Sequence, residues 1–292
     1  MSLVLSGKVG IITGANQGLG FEIAKAFVLA GANLMICARN EALLQEALLK
    51  LKTFASSEQK LCAQVCDVSK EADVKALVDR TVEIFSEFHI LVNNAGIYGP
   101  KGEIESVDWG EWIRAMEINV YGSVLMCRET LPYLKRQKFG KIIQLSGGGA
   151  TNPLPRISAY AVSKAAIVRF AETIAEEVRG SGIDVNCIAP GALNTRMLDE
   201  ILEAGPEKVG QVFYDRSLKQ RDAGGASMER GAELAVFLAS EASNGITGKL
   251  ISAVWDNWRE WPSNLGELSK SDVYTLRRIT GRDRGYIWGD IV

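Results

Sequence analysis

A tyrosine and a lysine stand four positions apart in the segment Tyr160-Ala-Val-Ser-Lys164. On an α-helix this spacing places the two side chains on one face, one turn apart. The ordinary pKa of a phenol is about 10, and a neighbouring ammonium group favours the phenolate and lowers that pKa toward the working pH. We therefore predict that Tyr160 acts as a general acid and base and that Lys164 tunes its pKa.

A glycine-rich turn lies between a predicted strand and a predicted helix, in Thr13-Gly14-Ala15-Asn16-Gln17-Gly18-Leu19-Gly20. Glycine allows the backbone to turn sharply and to approach a phosphate closely. The N-terminus of the following helix presents free N–H groups and a positive partial charge. The turn therefore predicts a site for the pyrophosphate of a dinucleotide.

The residues after the second predicted strand, Ala38-Arg39-Asn40, bear on the choice of dinucleotide. A carboxylate at this place would accept hydrogen bonds from the adenosine ribose and repel a 2′-phosphate. The chain has no carboxylate there, and the Arg39 guanidinium can bind a phosphate through two hydrogen bonds. We expect NADP(H) to be favoured over NAD(H); the alternative is that Arg39 is a solvated loop residue.

These motifs need a scaffold in which short β-branched runs alternate with longer segments of helical period, which is typical of βαβ units. Most of the strands are apolar on both faces, as expected for a parallel sheet covered by helices on both sides. The predicted fold is an α/β, three-layer, doubly wound parallel sheet of Rossmann type with about seven strands. The predicted strands are Lys8–Thr13, Asn33–Ala38, Leu61–Cys66, Ile90–Asn93, Lys141–Ser146, Asp184–Ala189 and Leu250–Val254. The predicted helices are one ending before Gly31, then Glu41–Phe54, Glu71–Phe85, Trp112–Leu134, Tyr160–Arg179 and Glu229–Ala239.

The motifs resemble those of the short-chain dehydrogenase/reductase family, in the family's order and over about residues 7–255. The resemblance implies reversible carbonyl/alcohol interconversion by hydride transfer between NAD(P)(H) and a small organic substrate. The matching motifs are Gly14-x-x-x-Gly18-x-Gly20, Asp67, Asn93-Asn94-Ala95-Gly96, Asn119, Tyr160-x-x-x-Lys164 and Pro190-Gly191-x-x-x-Thr195.

The resemblance also implies individual roles. Asp67 and Val68 would flank the adenine, and Asn94 would support the strand ends behind the cofactor. Lys164 would hydrogen-bond the nicotinamide ribose, and Thr195 would hold the carboxamide. Asn119 would link a water to the lysine in a proton relay. The expected cofactor-contacting residues are Gly14, Asn16, Gln17, Gly18, Leu19, Gly20, Arg39, Asp67, Val68, Asn94, Ala95, Gly96, Tyr160, Lys164, Pro190, Gly191 and Thr195.

The chain departs from the family's pattern at two positions. Gln17 stands in the glycine-rich turn, where members that prefer NADP(H) often have a basic residue. The catalytic serine usually lies thirteen residues before the tyrosine, and this chain has Gly147 there, one residue after Ser146. Three consecutive glycines could let Ser146 reach the substrate, so we expect Ser146 to be the catalytic serine. Two alternatives stay open: Ser158, first interpreted as a helix N-cap, or no such serine.

Two other functions stay open, and the Gly147 departure favours the first of them. One is a nucleotide-sensing or scaffolding protein on the same fold. The other is a dehydratase or epimerase that uses the cofactor transiently.

The composition argues against several classes of protein. With 33 basic and 35 acidic residues, the formal net charge of −2 gives no broad positive field for nucleic acid or anionic membrane. No apolar run reaches the roughly 18 residues of a membrane span, and the N-terminus lacks a signal-peptide pattern. The five cysteines are expected to be reduced, and the single histidine is distant in sequence from Cys62 and Cys66, so no metal site is expected. We expect a cytoplasmic protein.

Residues 1–255 are predicted to form one catalytic domain, followed by an extension over residues 256–292. The extension is rich in aromatic residues, so it should pack on its own domain or, slightly favoured, on a neighbouring subunit. Ser271–Thr280 is predicted to be a short helix, with Arg277, Arg278, Arg282 and Arg284 in polar contacts. By resemblance, the segment from Arg196 to about Arg221 should be a mobile lid.

The resemblance also implies a homotetramer or homodimer. The apolar stretches that suit such an interface are Val124, Leu125 and Met126 and Ala165, Ile167 and Val168.

Overall fold

A parallel sheet of seven strands, in the order β3-β2-β1-β4-β5-β6-β7, organises the molecule in a computed structural model that describes residues 3–288. The ends of the two predicted segments, residues 1–2 and 289–292, lie outside the described residues. All strand pairs are parallel, so the predicted doubly wound fold is confirmed. The strands are β1 (Val9–Thr13), β2 (Asn33–Ala38), β3 (Leu61–Val65), β4 (Ile90–Asn93), β5 (Gly140–Leu145), β6 (Ile183–Ala189) and β7 (Leu250–Ser252).

The helices follow the predicted alternation, with additions after β6. Five of the predicted helices lie within a few residues of their expected bounds. The helices are α1 (Gly18–Leu29), α2 (Glu41–Lys52), α3 (Glu71–Phe85), α4 (Trp109–Met116), α5 (Gly122–Gln137), α6 (Ser158–Glu177), α7 (Arg196–Val209), α8 (Gln211–Ala223), α9 (Met228–Ala239) and α10 (Leu265–Leu268).

Two apolar clusters, one on each face of the sheet, form the core. One joins α1, α2 and α9 to the sheet, and the other joins α3, α5 and α6 to it. Adjacent residues of β1 divide between them, since Ile12 lies in the first cluster and Ile11 in the second. Alternate side chains of a strand point to opposite faces, so both faces of this strand must be apolar. None of the described helices is both long and apolar enough to cross a membrane.

The predicted helix Trp112–Leu134 is interrupted. A π-helical turn, Glu117–Tyr121, separates α4 from α5. Three of the side chains proposed for a subunit interface face inward: Met126, Ile167 and Val168 are at most 1% exposed and belong to the chain's own core. That part of the interface prediction is wrong, because the helical period turns these residues toward the sheet.

The segment predicted as a lid loop is helical. It forms α7 and α8, with non-helical backbone at Gly205 and a second break at Gly210. Arg156 contacts this unit by donating a hydrogen bond of 2.6 Å to the carbonyl of Glu207. The same guanidinium forms an ion pair of 2.8 Å with Glu103. The helices are thereby attached to the loop before α6.

The first part of the extension packs on its own domain. Trp258 and Trp261 are 4% and 6% exposed and join the cluster on the α9 face. The ring centroids of Phe237 and Trp258 lie 5.0 Å apart. Trp258 and Trp261 therefore belong to the core of their own chain.

The prediction of a helix over Ser271–Thr280 is wrong: this segment forms turns and irregular chain. The Leu250 N–H of β7 donates to the Tyr274 carbonyl at 2.8 Å, and Leu276 N–H donates to Glu172 at 2.6 Å. Contacts with β7 and α6 thus satisfy backbone groups that a helix would have paired internally. Arg277 pairs with Asp272 and Asp283, both in the extension.

Candidate active site

A cleft of about 880 Å³ opens at the carboxyl ends of the strands. It lies where β1 has β2 on one side and β4 on the other, the point at which the strand order reverses. Ligands of doubly wound folds bind at this crevice. Of the predicted site residues, all line the cleft except Asn119.

The glycine-rich turn is tied to the end of β4 by Asn94. The Asn94 side-chain amide donates hydrogen bonds to the carbonyls of Thr13 and Gly14, each of 3.0 Å. The Thr13 hydroxyl in turn accepts from the N–H groups of Asn94 and Ala95, at 3.0 and 3.1 Å. A Cβ on Gly20 would lie 2.3 Å from the Gly14 carbonyl oxygen, so no larger residue fits there. The turn is thus held close-packed by the chain itself.

This cradle fits a pyrophosphate. Gln17 precedes α1 in an extended conformation and provides no side-chain hydrogen bond to the helix N-terminus. The first turn of α1 therefore offers N–H donors at the cleft, together with the positive end of the helix dipole. A donor set of this kind suits a bound phosphate group.

At the adenine end of the cleft, Asp67 is already engaged by the protein. Its carboxylate forms an ion pair of 2.7 Å with Arg114 and accepts hydrogen bonds from the backbone and hydroxyl of Ser69. Partial burial raises the pKa of Asp67, but these hydrogen bonds outweigh it and leave the pKa below its usual value. Asp67 is therefore ionised and fixes α4. Arg39 lies exposed on the rim of the same end.

Tyr160 and Lys164 lie one turn apart on α6, and Lys164 Nζ is 5.5 Å from the centroid of the tyrosine ring. Lys164 Nζ also donates a 2.8 Å hydrogen bond to the Leu145 carbonyl at the end of β5. Burial lowers the pKa of Lys164 to about 8. The lysine is thus held in the cleft, and its ammonium group loses the proton at a lower pH than that of an ordinary lysine.

The sequence predicts that Lys164 lowers the pKa of Tyr160. This prediction is wrong when only groups of the protein act on the phenol. Burial and the neighbouring Tyr98 raise the pKa of Tyr160 above its ordinary value. Removal of the phenol from water disfavours the phenolate, and Lys164 does not outweigh that penalty. Tyr160 is consequently protonated in this environment.

Asn119 lies in the π-helical turn between α4 and α5, behind the cleft. Its side chain exchanges two hydrogen bonds of 2.8 Å with the backbone of Ile97 and donates a third, of 2.9 Å, to Ser163. A Cβ on Gly96 would come within 3.2 Å of Asn119 Oδ1 and 3.6 Å of Lys164 Nζ. The glycine thus leaves a small space that both polar groups border.

The serines differ in position. Ser146 lines the cleft, is 3% exposed, and has its hydroxyl 3.5 Å from the Lys164 carbonyl. Ser158 does not line it, and its hydroxyl accepts a 3.2 Å hydrogen bond from Trp112. The N-cap interpretation of Ser158 is wrong, because α6 begins at Ser158 and its N-cap is Ile157.

Sequence reasoning missed Tyr98. It lines the cleft, and its ring centroid lies 4.6 Å from that of Tyr160. Burial raises the pKa of Tyr98 to about 12. Its place two residues after the Asn-Asn-Ala-Gly motif was the available signal. Ile97, Leu193 and Met197 also line the cleft and were not predicted.

Comparison with known proteins identifies the family of this chain. The family model described as short chain dehydrogenase matches residues 8–205, more than half of the chain. The L-fucose dehydrogenase of Oryctolagus cuniculus is 34% identical over 242 residues, which cover 82% of this chain and 81% of that protein. The chain belongs to the short-chain dehydrogenase family.

Two further relatives give the same result. A short-chain type dehydrogenase/reductase of Picea abies is 32% identical over 257 residues, covering 85% of this chain and 91% of that one. The crystal structure of NAD⁺-bound xylitol dehydrogenase is similar with a TM-score of 0.78 and 25% identity, covering 85% of this short-chain dehydrogenase and 98% of that chain.

As a member of this family, the enzyme is an NAD(P)-dependent oxidoreductase that interconverts alcohols and carbonyl compounds among small molecules. Nothing in the comparisons supports a nucleotide sensor, scaffold, dehydratase or epimerase.

Proposed function

We propose that Tyr160 is the general acid and base of this oxidoreduction, with Lys164, Asn119 and Ser146 as its partners. The observation that carries the proposal is the single cleft in which the pyrophosphate cradle and the Tyr160–Lys164 pair meet. Bound NAD(P)(H) would supply or accept the hydride at its nicotinamide ring. The protein's own task is to hold the reactants and to move one proton.

In the reductive direction, Tyr160 donates its phenolic proton to the substrate oxygen. Its raised pKa supports this direction, since the phenol is protonated before reaction. Lys164 favours the phenolate that remains, and its 2.8 Å hydrogen bond to Leu145 keeps the ammonium in place. Asn119 is rigidly bonded to Ile97 and Ser163 and borders the space beside Lys164, where a water could return the proton. Ser146 is the serine proposed for the site, because Ser158 lies outside the cleft.

The residues proposed to hold the cofactor lie along the length of the cleft. The glycine-rich turn and the α1 N-terminus would bind the pyrophosphate, and Asp67 with Val68 would flank the adenine. Lys164 would bind the nicotinamide ribose and Thr195 the carboxamide. The supporting observation is that all of these residues line the same cleft.

We further propose that NADP(H) is preferred over NAD(H). Arg39 supports this, because its guanidinium is exposed on the rim near Asn40 and Leu43, where a 2′-phosphate could be bound. The xylitol dehydrogenase of the comparison was crystallised with NAD⁺, so the cofactor differs within the family if the proposal holds.

For assembly, we propose a homodimer or homotetramer formed through α4, α5 and α6. Trp109 of α4, Tyr121 before α5 and Val162 of α6 are 66%, 54% and 47% exposed, and their burial against a second subunit would be favourable.

The experiment that tests the function is an absorbance assay of reduced cofactor. Purified enzyme is mixed with NADPH or NADH and with a panel of aliphatic ketones, aryl diketones, quinones and ketoses. We expect substrate-dependent oxidation, faster with NADPH at low cofactor concentration. Cofactor binding without turnover of any member would contradict the catalytic proposal, and a tighter NADH complex would contradict the cofactor proposal.

A further inference from the structure

The Tyr160 phenol occupies space that a side chain at position 147 would need. A Cβ built on Gly147 would lie 2.4 Å from Tyr160 Oη and 3.2 Å from Cζ. The backbone of Gly147 is extended, with φ of −177°, so any residue could adopt its conformation. The reason for glycine here is therefore room for the phenol, not backbone freedom.

A second phenol side chain, that of Tyr98, lies beside Tyr160 in the cleft. The rings of Tyr98 and Tyr160 are tilted by 58° with centroids 4.6 Å apart, and both line the cleft. Neither phenol hydroxyl forms a hydrogen bond with any residue between positions 3 and 288. The two side chains contact their neighbours through the rings. Both tyrosines therefore line the cleft with hydroxyls that have no hydrogen-bond partner among these residues.

The serine hydroxyl is directed elsewhere. Ser146 Oγ lies 3.5 Å from the carbonyl of Lys164, on the α6 side, and only 3% of the residue is exposed. It must rotate before it can donate to a molecule in the cleft. The Tyr98 hydroxyl has no such internal contact to give up among residues 3–288.

We infer that Tyr98 is a further catalytic residue of the proposed reaction, which donates a second hydrogen bond to the substrate oxygen that receives the proton of Tyr160. This inference rests on the proposed function of Tyr160. No bond forms or breaks at Tyr98: hydride reaches the carbonyl carbon, the Tyr160 proton reaches the oxygen, and the Tyr98 O–H stabilises the negative charge that develops there.

The environments of the two phenols support this division. With a pKa of about 12, Tyr98 stays protonated throughout the working range and acts as a donor only. Lys101 lies 5.8 Å from the Tyr98 ring centroid. It forms an ion pair of 3.6 Å with Glu200, whose carboxylate offsets the positive charge of the lysine. Lys164, the cation on α6 beside Tyr160, carries no such partner among the described carboxylates. The proton thus leaves from Tyr160 and the neutral hydrogen bond comes from Tyr98.

The test compares Tyr98→Phe with wild type in the reduction, by NADPH, of the member of the carbonyl panel that wild type turns over fastest. The variant keeps the ring that packs on Tyr160 and loses only the hydroxyl. We expect kcat to fall about tenfold or more, as on loss of one donor to a developing oxyanion. The KM for NADPH and the melting temperature should stay unchanged. A kcat within twofold of wild type would overturn the inference and leave the role of Tyr160 intact.

Tyr214→Phe is the matched control. Tyr214 belongs to the same apolar cluster as Tyr98 and Tyr160 but does not line the cleft, so its hydroxyl should have no effect on kcat. An equal loss in both variants would show a packing effect and overturn the inference. If Ser146→Ala lowers kcat while Tyr98→Phe does not, the second hydroxyl is Ser146. A wild type inactive with the whole carbonyl panel would instead contradict the proposed function, and this inference with it.

Gly147→Ser tests the same geometry from the other side. It restores the residue type that the family places there, yet we expect a lower kcat, because the new Cβ must displace the Tyr160 phenol from its packing against Tyr98. Gly147→Ala should act in the same way. A Gly147→Ser enzyme faster than wild type would show that the site lacks a serine rather than using Tyr98, and would overturn the inference.

Discussion

The dinucleotide half of the cleft, built by β1 to β4, and the catalytic half, built from β5 onward, are held in place by different means. In the first, the Asn94 amide binds carbonyls of the turn and the Thr13 hydroxyl binds backbone N–H groups after β4, through hydrogen bonds of 3.0–3.1 Å. In the second, the Tyr160 ring is placed by packing against Gly147 and Tyr98, and only Lys164 of the pair is held by a hydrogen bond, to the Leu145 carbonyl. Hydrogen bonds to fixed backbone groups restrict the residue types that fit a position, whereas packing contacts allow more residue types.

The difference follows from what each half binds. A pyrophosphate presents the same charge and shape in every dinucleotide, so N–H groups and glycines can be fixed in sequence. Substrates differ, and side chains can exchange hydroxyls and volumes around one reacting oxygen. In this chain Gly147 stands where the family usually has a serine, and the ring of Tyr98 packs against that of Tyr160.

The largest expected effect concerns stability in the second half. Truncation from Asn257 onward removes Trp258 and Trp261, which are 4% and 6% exposed in the core. Loss of one such buried tryptophan costs about 3–5 kcal/mol. We expect a strongly lowered melting temperature or insoluble protein, measured by thermal denaturation of the purified enzyme.

A shorter truncation, from Arg277 onward, is the control. It keeps both buried tryptophans and removes Tyr286, Ile287 and Trp288, which are 54%, 102% and 71% exposed. We expect the melting temperature to change little. Light scattering then tests whether this end contacts a neighbouring subunit, as proposed from the sequence; an unchanged oligomeric state would argue against that contact.

Tyr160→Phe should affect the catalytic half alone. Loss of a general acid and base lowers turnover by about 10²-fold or more. The cofactor half should be unaffected, so fluorescence titration with NADPH should give nearly the wild-type dissociation constant. Activity close to wild type would assign the proton transfer to another group.

Arg39→Ala should affect the dinucleotide half alone. A charge-assisted hydrogen bond contributes about 1.5–3 kcal/mol, which is roughly one to two decades in affinity. We expect the dissociation constant for NADPH to rise by this amount and that for NADH to change little. Equal effects on both cofactors would make Arg39 a residue without a phosphate contact.

A pH-dependent effect on stability links the two halves through Lys164. Burial lowers its pKa to about 8, below the value of about 10.4 for an unfolded lysine. Between these values the unfolded chain binds more protons, so this group makes the free energy of unfolding rise with pH, by up to about 1.4 kcal/mol per pH unit. Below pH 8 the cost of burying the ammonium is fully present.

Lys164→Met should abolish this contribution. Urea denaturation of both proteins between about pH 7.5 and 10 measures the difference in slope, and all other titrating groups cancel in that comparison. Parallel curves would mean that Lys164 keeps an ordinary pKa in the folded enzyme.

The strands and the dinucleotide cradle could be predicted from the sequence because their signals are local. The β-branched runs and the glycine spacing act within a few residues, so the strand bounds differ from the structure by at most two residues. The order of the motifs along the chain sufficed for the family. The predicted cofactor contacts all lie in one cleft because the carboxyl ends of parallel strands meet at one edge of the sheet.

What depended on contacts between distant residues could only come from the tertiary structure. Residues 271–280 carry the end signals of a helix, but hydrogen bonds to Leu250 and Glu172 use backbone groups that a helix would pair, and the segment forms turns and irregular chain. The pKa of Tyr160 rises because the fold buries the ring beside Tyr98, although its neighbour in sequence predicts the reverse. Tyr98 and Tyr160 lie far apart along the chain, and the contact between their rings is decided by tertiary packing, which no local pattern records.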